Sequence, residues 1–235
     1  MRTIVLIPAF NEARSIGKVI GDLPVDRVDE VVVINNASTD ETEANARAAG
    51  ATVVREDRRG YGSACLRGLA YVDALPDKAK PDVIVFLDGD YSDHPDELPQ
   101  LLGPIERDEA DLVIGSRMAG RPRGMVEPGA MLPQAVFGNR LACGLMRVIW
   151  GGRFTDLGPF RAIRRTALDA LGMEDTTYGW TVEMQIKALR QGLRCTEVPV
   201  SYRRRIGVSK ITGTVRGTLG ASYKILATIG KYAVR

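Results

Sequence analysis

Glu30-Val-Val-Val-Ile34 is an unbroken apolar run with no alternation of polar residues. A strand of that kind must be covered on both faces, as in the centre of a parallel sheet. Outward from it the same unit repeats. Upstream, residues 3–7 read as a short buried strand. Residues 15–23 follow as a helix, with Ile16, Val19, Ile20 and Leu23 at helical spacing and Pro24 ending it. Downstream, Ser38-Thr-Asp-Glu41 has the form of a capping box, Ser38 as cap and Glu41 closing it, ahead of a helix over 42–49 that Gly50 stops. A third strand over 51–55, a glycine turn at Gly60-Tyr-Gly62, a helix over 63–74 and strands over 83–87 and 111–115 continue the series. Strand–helix alternation predicts an α/β fold: a Rossmann-like, mostly parallel central sheet flanked by helices.

Beyond residue 115 the pattern loosens. Residues 121–133, rich in Gly, Pro and Arg, read as a loop. Helices are expected over 137–149 and 182–190, and a strand over 195–202. Residues 214–232 are expected to form an amphipathic helix with Leu219, Tyr223 and Leu226 on one face. The expected organisation is a catalytic domain over 1–212 and a C-terminal helix over 213–235, which either meets a membrane surface or packs back on the domain.

The 235 residues are 45% hydrophobic, ample for one buried core. Cys65, Cys143 and Cys195 are widely spaced, without metal-ligand spacing, and read as free thiols of a reducing compartment. A single histidine, His94, argues against a zinc centre or a histidine triad. Met1-Arg2 runs straight into a strand, and no apolar stretch reaches spanning length, so a cytoplasmic location is expected, with peripheral contact at the inner face of the membrane left open. The net charge of +3 is modest, but basic residues crowd the C-terminal end, including Arg203, Arg204, Arg205 and Lys210. That bias suits phosphate or anionic lipid. It is too sparse in interleaved aromatics for nucleic acid.

The chemistry gathers where the strands end. Open α/β sheets bind ligands beyond the carboxyl ends of their strands, and four polar clusters fall there: Asn11-Glu12, Asn35-Asn36, Asp88 with Asp90, and Ser116-Arg117. Two carboxylates one residue apart after a buried strand can converge on one hard divalent cation, magnesium or manganese, that bridges to substrate phosphates. Asp93 and His94 lie close enough to orient the site. Trp180 reads either as a platform for a sugar or as a core aromatic. Gly60-Tyr-Gly62-Ser63 matches neither a dinucleotide fingerprint nor a Walker loop, which argues against an oxidoreductase or a P-loop enzyme. A sugar-1-phosphate nucleotidyltransferase would carry a glycine-rich basic loop after the first strand, where this chain has Pro8-Ala-Phe-Asn-Glu12. A non-catalytic module would have no need of both Asp88 and Asp90.

Six motifs in order carry a family resemblance: Ile7-Pro-Ala-Phe-Asn-Glu12, Val33-Ile-Asn-Asn-Ala-Ser-Thr-Asp-Glu-Thr42, Arg59-Gly-Tyr-Gly-Ser-Ala64, Phe86-Leu-Asp-Gly-Asp-Tyr-Ser-Asp93, Ile114-Gly-Ser-Arg117 and Gly158-Pro-Phe-Arg-Ala162. With Glu183 and Arg204-Arg-Ile-Gly-Val-Ser-Lys210, they resemble the family 2 inverting glycosyltransferases of the GT-A fold, and in the second half the polyprenyl (dolichyl) phosphate sugar synthases. The resemblance implies transfer of a sugar from a GDP- or UDP-linked donor. It implies Pro8, Ala9, Asn11, Glu12, Asn35 and Asn36 at the nucleotide, where many relatives have two aspartates in place of the asparagines. It also implies Asp88 at the ribose or metal, Asp90 as metal ligand, Arg117 near the diphosphate or sugar, and Arg204, Ser209 and Lys210 in phosphate handling. An acceptor phosphate is already ionised and needs no base. A hydroxyl acceptor, such as a saccharide or small molecule in cell-envelope glycan synthesis, needs a carboxylate to take its proton, and Asp156 and Glu183 are the candidates.

Overall fold

The computed structural model describes residues 1–207 and 215–234. In chain order they form β1 (Thr3–Ala9), α1 (Ile16–Gly21), β2 (Glu30–Asn35), α2 (Thr42–Ala48), β3 (Thr52–Arg55), α3 (Tyr61–Asp73), β4 (Val83–Phe86) and α4 (Leu98–Glu106). They continue as β5 (Leu112–Ser116), α5 (Arg117–Gly120), α6 (Pro133–Trp150), β6 (Arg161–Arg164), α7 (Arg165–Leu171), α8 (Trp180–Arg190), β7 (Cys195–Pro199) and α9 (Val215–Ala233). The strands make one sheet in the order β3-β2-β1-β4-β6-β5-β7. Every neighbouring pair is parallel except those made by β6, which runs antiparallel to both β4 and β5.

Successive residues of the central strands feed two separate cores. Ile4, Leu6, Val32, Ile34, Ile84 and Phe86 pack on the side that α3, α6, α8 and α9 cover. Val5, Ile7, Val33, Val83, Val85 and Leu87 pack on the other, against α1 and α4. Such two-sided burial is what the uninterrupted apolar strands require. The order also creates a reversal: from β1 the chain proceeds to β2 on one side, and β4 returns to the other. The carboxyl ends of β1 and β4 therefore flank the crevice in which open sheets bind ligands.

Several expectations need correction. The capping box does not form: Glu41 is the N-cap residue of α2 without a side-chain cap bond, and the Ser38 hydroxyl instead accepts from Asn11 N at 3.0 Å. Four elements are additional: α4, which carries Pro99 and Pro104, the four-residue α5, the four-residue β6 with an arginine at each end, and α7. Trp180 is a core residue, 1% exposed and edge-on to Phe86. The C-terminal helix packs against α6 and α8 through Ile229 and Tyr232, while Tyr223 and Leu226 point outward. The side chains of Arg216 and Leu219 lie outside the described residues. Among the described residues, no helix is long and apolar enough to cross a membrane.

Candidate active site

At the carboxyl end of β1, Pro8 and Ala9 run into a loop in which Asn11 takes a left-handed φ of 54°. Its amide oxygen accepts from Thr39 N at 2.8 Å, tying this loop to the one after β2. Glu12 is nearly buried; its N donates to Thr42 Oγ1, and its carboxylate accepts from Ser15 Oγ at 3.2 Å.

The two asparagines are fixed from both ends. Asn35 Oδ1 accepts from Ser38 N at 3.0 Å, and its Nδ2 donates to Glu43 Oε2 at 3.0 Å. Asn36 Nδ2 donates to the carbonyls of Glu56 and Arg58, and its Oδ1 accepts from Gly60 N at 2.8 Å. Each position thus demands a donor and an acceptor at once, which an amide supplies and a carboxylate does not. Arg55, then Asn35 and Arg47, hold Glu43 down to about 2. A cleft of about 640 Å³ opens here, lined by Asn35, Ala37, Ser38, Thr39 and Asp57 among others. Beneath it, Gly60 (φ 147°) and Gly62 lie against the backbone of 175–176; a Cβ on Gly62 would sit 2.0 Å from the Asp175 carbonyl oxygen.

Asp88 and Asp90 follow β4. Asp90 is 5% exposed; its Oδ1 accepts from Ser92 N at 2.9 Å, and its Oδ2 pairs with Arg205 at 2.8 Å. Burial, then the Asp90 charge, pushes Asp88 up to about 7, against the pull of Arg205 and Arg117. Asp93 is buried beside them, and neither carboxylate oxygen has a hydrogen-bond partner among the described residues. Desolvation, then Asp88, raises it well above the usual carboxylate range. His94 opens the turn at Pro95, with Nδ1 3.8 Å from Asp96.

Arg117, at the end of β5, is clamped. Its N and Nε donate to Asp156 Oδ2 at 2.8 and 2.9 Å, and its Nη2 donates to Oδ1 at 2.7 Å. Asp156 is fully buried, so its carboxylate is committed to Arg117. The loop carrying it is held by Arg161, whose buried guanidinium donates to the carbonyls of Leu157, Gly158 and Thr181 and is drawn down to about 10 by desolvation. Glu183 lies on the other side of α8. It accepts from Asp175 N at 2.8 Å and Tyr232 Oη at 2.8 Å, and pairs with Lys187 at 3.0 Å.

After β7 the side chains alternate as an extended segment should. Arg203 stacks on Tyr91, and Arg205 reaches Asp90 and Glu12. Arg204 turns the other way, onto the Pro128 carbonyl. The expected Arg204 is thus displaced from the carboxylate centre by Arg205, and period-two alternation was the signal that separates them. Ser209 and Lys210 lie outside the described residues. The fold brings together Glu12, Asp88, Asp90 and Arg205, with Arg117, Asp93 and Asp156 adjoining; Glu183 is in a separate buried network.

Comparison with known proteins identifies the family. The model of "Glycosyl transferase family 2" matches residues 4–172. An uncharacterised glycosyltransferase of Mycobacterium tuberculosis is 33% identical over 92% of this chain and 92% of its own length. An undecaprenyl-phosphate mannosyltransferase of Micrococcus luteus is 33% identical over 92% of this chain and 90% of its own. Among solved structures, glucosyl-3-phosphoglycerate synthase of M. tuberculosis, in complex with Mn2+, uridine diphosphate and phosphoglyceric acid, superposes with a TM-score of 0.76, 24% identity, and coverage of 99% of this chain and 78% of that one. On the motifs, the sheet and these matches, the chain belongs to glycosyl transferase family 2 and has the GT-A fold.

Proposed function

We propose that the chain is a metal-dependent glycosyltransferase that moves a sugar from a nucleoside-diphosphate sugar, UDP- or GDP-linked, to a polyprenyl phosphate. One observation carries the choice of acceptor. Asp156 and Glu183 both have their carboxylates fully engaged. An acceptor that arrives as an ionised phosphate oxygen needs neither as a base. The M. luteus relative, named for transfer to undecaprenyl phosphate, supports the same reading.

Two hard carboxylates, Asp88 and Asp90, fit Mg2+ or Mn2+, and the described residues offer no cluster of three ligands. These two carboxylates would hold such a cation and leave its other positions open to substrate oxygens and water. When bound it offsets the charge that builds on the leaving diphosphate. Arg117 and Arg205 present fixed positive charge to the same region, and Asp156 positions Arg117. Asn11, Asn35 and Asn36 shape the walls of the nucleotide cleft through their internal bonds. In this reading the acceptor oxygen attacks in line with the departing nucleoside diphosphate, on the opposite face of the anomeric carbon. By the family resemblance, Ser209 and Lys210 would belong to the phosphate-handling segment.

A second reading is transfer to a hydroxyl acceptor. The solved structures support it more directly than they support the lipid, since they hold phosphoglyceric acid beside UDP and Mn2+. It requires a proton acceptor, and Asp93 is the buried carboxyl beside the site that the described residues leave without a hydrogen-bond partner. A panel of sugar nucleotides run with Mn2+ against short polyprenyl phosphate and against soluble hydroxyl compounds decides between the two. Labelled glycolipid is expected. Product formed only on hydroxyl compounds would reject the lipid-phosphate reading.

A further inference from the structure

Helix α6 is apolar on its outer side as well as on its buried one. Its inner face buries Val136, Asn139, Ala142, Cys143 and Met146. Its outer face carries Phe137, Leu141, Gly144 and Val148, spaced by four, three and four residues and so aligned along one side. Phe137 is 69% exposed and Val148 85%, and no described residue covers them. Arg140 and Arg147, one heptad apart, border this stripe, and Arg153 follows the helix. Among the described residues none of the three pairs with a carboxylate. From 128 to 155 the chain contains no Asp or Glu at all. The adjoining helix α9 leaves Tyr223 and Leu226 exposed, and residues 215–235 are likewise free of acids.

From this the geometry points to α6 as the surface by which the protein docks on an anionic lipid bilayer, its apolar stripe entering the interface and its arginines meeting the headgroups. Charge selects the occupant. A second copy of the same face would set Arg140 and Arg147 against their own kind, with no acid to pair them. An anionic leaflet complements both the cations and the apolar stripe. The helix is also joined to the site. On its inner face Asn139 Oδ1 accepts from Leu157 N at 2.8 Å, and its Nδ2 donates to Thr155 O at 2.8 Å. These bonds bracket Asp156, the residue that clamps Arg117. A docked α6 therefore holds the acceptor side of the site at the bilayer surface. The purpose of this docking rests on the lipid-phosphate reading; the surface itself does not.

The test is sedimentation of the full chain with vesicles that contain no polyprenyl phosphate, either phosphatidylcholine alone or with about one third phosphatidylglycerol. The intact protein should pellet with the anionic vesicles at low salt and leave them at high salt. Phe137→Ser with Val148→Ser should lower the partition at least about tenfold. Arg140→Gln and Arg147→Gln should each lower it about fivefold. All these positions are exposed, and the variants should keep the wild-type rate of transfer to polyprenyl phosphate in detergent micelles. A protein that stays in the supernatant, variants that pellet like the wild type, or a dimer in light scattering that Phe137→Ser dissociates would each overturn the inference. Vesicle binding that depends on α6, with no transfer to polyprenyl phosphate in micelles, would uphold the surface and defeat only the acceptor reading.

Discussion

Replacing Asn35 by Asp, the residue many related enzymes carry there, should destabilise this protein, and Glu43→Gln should repair the damage. The Asn35 amide now donates to Glu43 Oε2 at 3.0 Å. Aspartate loses that charge-assisted bond, worth about 1.5–3 kcal/mol. It also brings two carboxylates to the same separation, where full charges at an effective dielectric near 20 repel by about 5 kcal/mol. Arg47 and Arg55, already paired with Glu43, absorb part of that repulsion, leaving a net loss of roughly 3 kcal/mol. Urea unfolding followed by circular dichroism measures it, and donor KM should rise in parallel because the cleft wall moves. In Asn35→Asp/Glu43→Gln the donor and acceptor simply exchange places, so most of the loss should return. A single variant as stable as the wild type, or a double variant no better than the single, would refute the claim that Glu43 dictates the amide. Asn36→Asp should have no such repair, because its amide donates to two backbone carbonyls.

Further outcomes follow from the site. Asp90→Ala should lower turnover by orders of magnitude without unfolding the chain, and excess chelator should do the same to the wild type; full activity in either case defeats the metal assignment. Asp88, pushed up to about 7, is protonated in the metal-free protein below that pH. Cation binding needs the carboxylate, so Mn2+ affinity measured by calorimetry should climb as pH rises toward 7 and level off above it. The same raised value means that the stability of the metal-free protein falls as pH rises from about 4 to about 7, because only the unfolded chain ionises Asp88 freely there. Asp88→Asn should flatten both profiles. Asp156→Asn should depress kcat by loosening Arg117 and leave the shape of the pH–rate curve unchanged; loss of the acidic limb would instead mark Asp156 as the base. Gly62→Ala should cost about 3 kcal/mol or more in thermal or urea unfolding, since its Cβ meets rigid backbone at 2.0 Å.

The parallel half of the fold was legible because its strands are buried on both faces and leave uninterrupted apolar runs, as at 30–34. The site at their carboxyl ends followed from that. The second half was less legible for local reasons. Four-residue β6 is bounded by Arg161 and Arg164, so it reads as polar, and only the fold reveals that Arg161 is a buried clip for three carbonyls. Two prolines disguise α4. Asp156 and Glu183 read as candidate bases, but sequence cannot show that their lone pairs are already taken. The tail was read as amphipathic, yet the face it buries is centred on Ile229 and Tyr232. Tyr232 bonds Glu183, and Lys224 pairs with Asp175 beside the glycines under the cleft. Deleting 214–235 should therefore loosen donor binding, which calorimetric titration of the sugar nucleotide measures.

The reversed direction of β6 has an effect on how such an enzyme can diversify. Because β6 separates β4 from β5, Asp88 and Arg117 stand two strand spacings apart, about 10 Å. Because it runs antiparallel, it presents the start of its strand, and the 155–160 loop before it, to the edge where the other strands present their ends. In the proposed reading the nucleotide is held by the loops after β1 to β4, while Arg117 after β5 and the 155–160 loop, which Asn139 of α6 holds, stand on the other side of β6. Changes in the segment between α5 and β6 can thus alter what is glycosylated while the machinery that grips the nucleotide stays intact. One scaffold can in this way exchange its clientele without relearning its fuel.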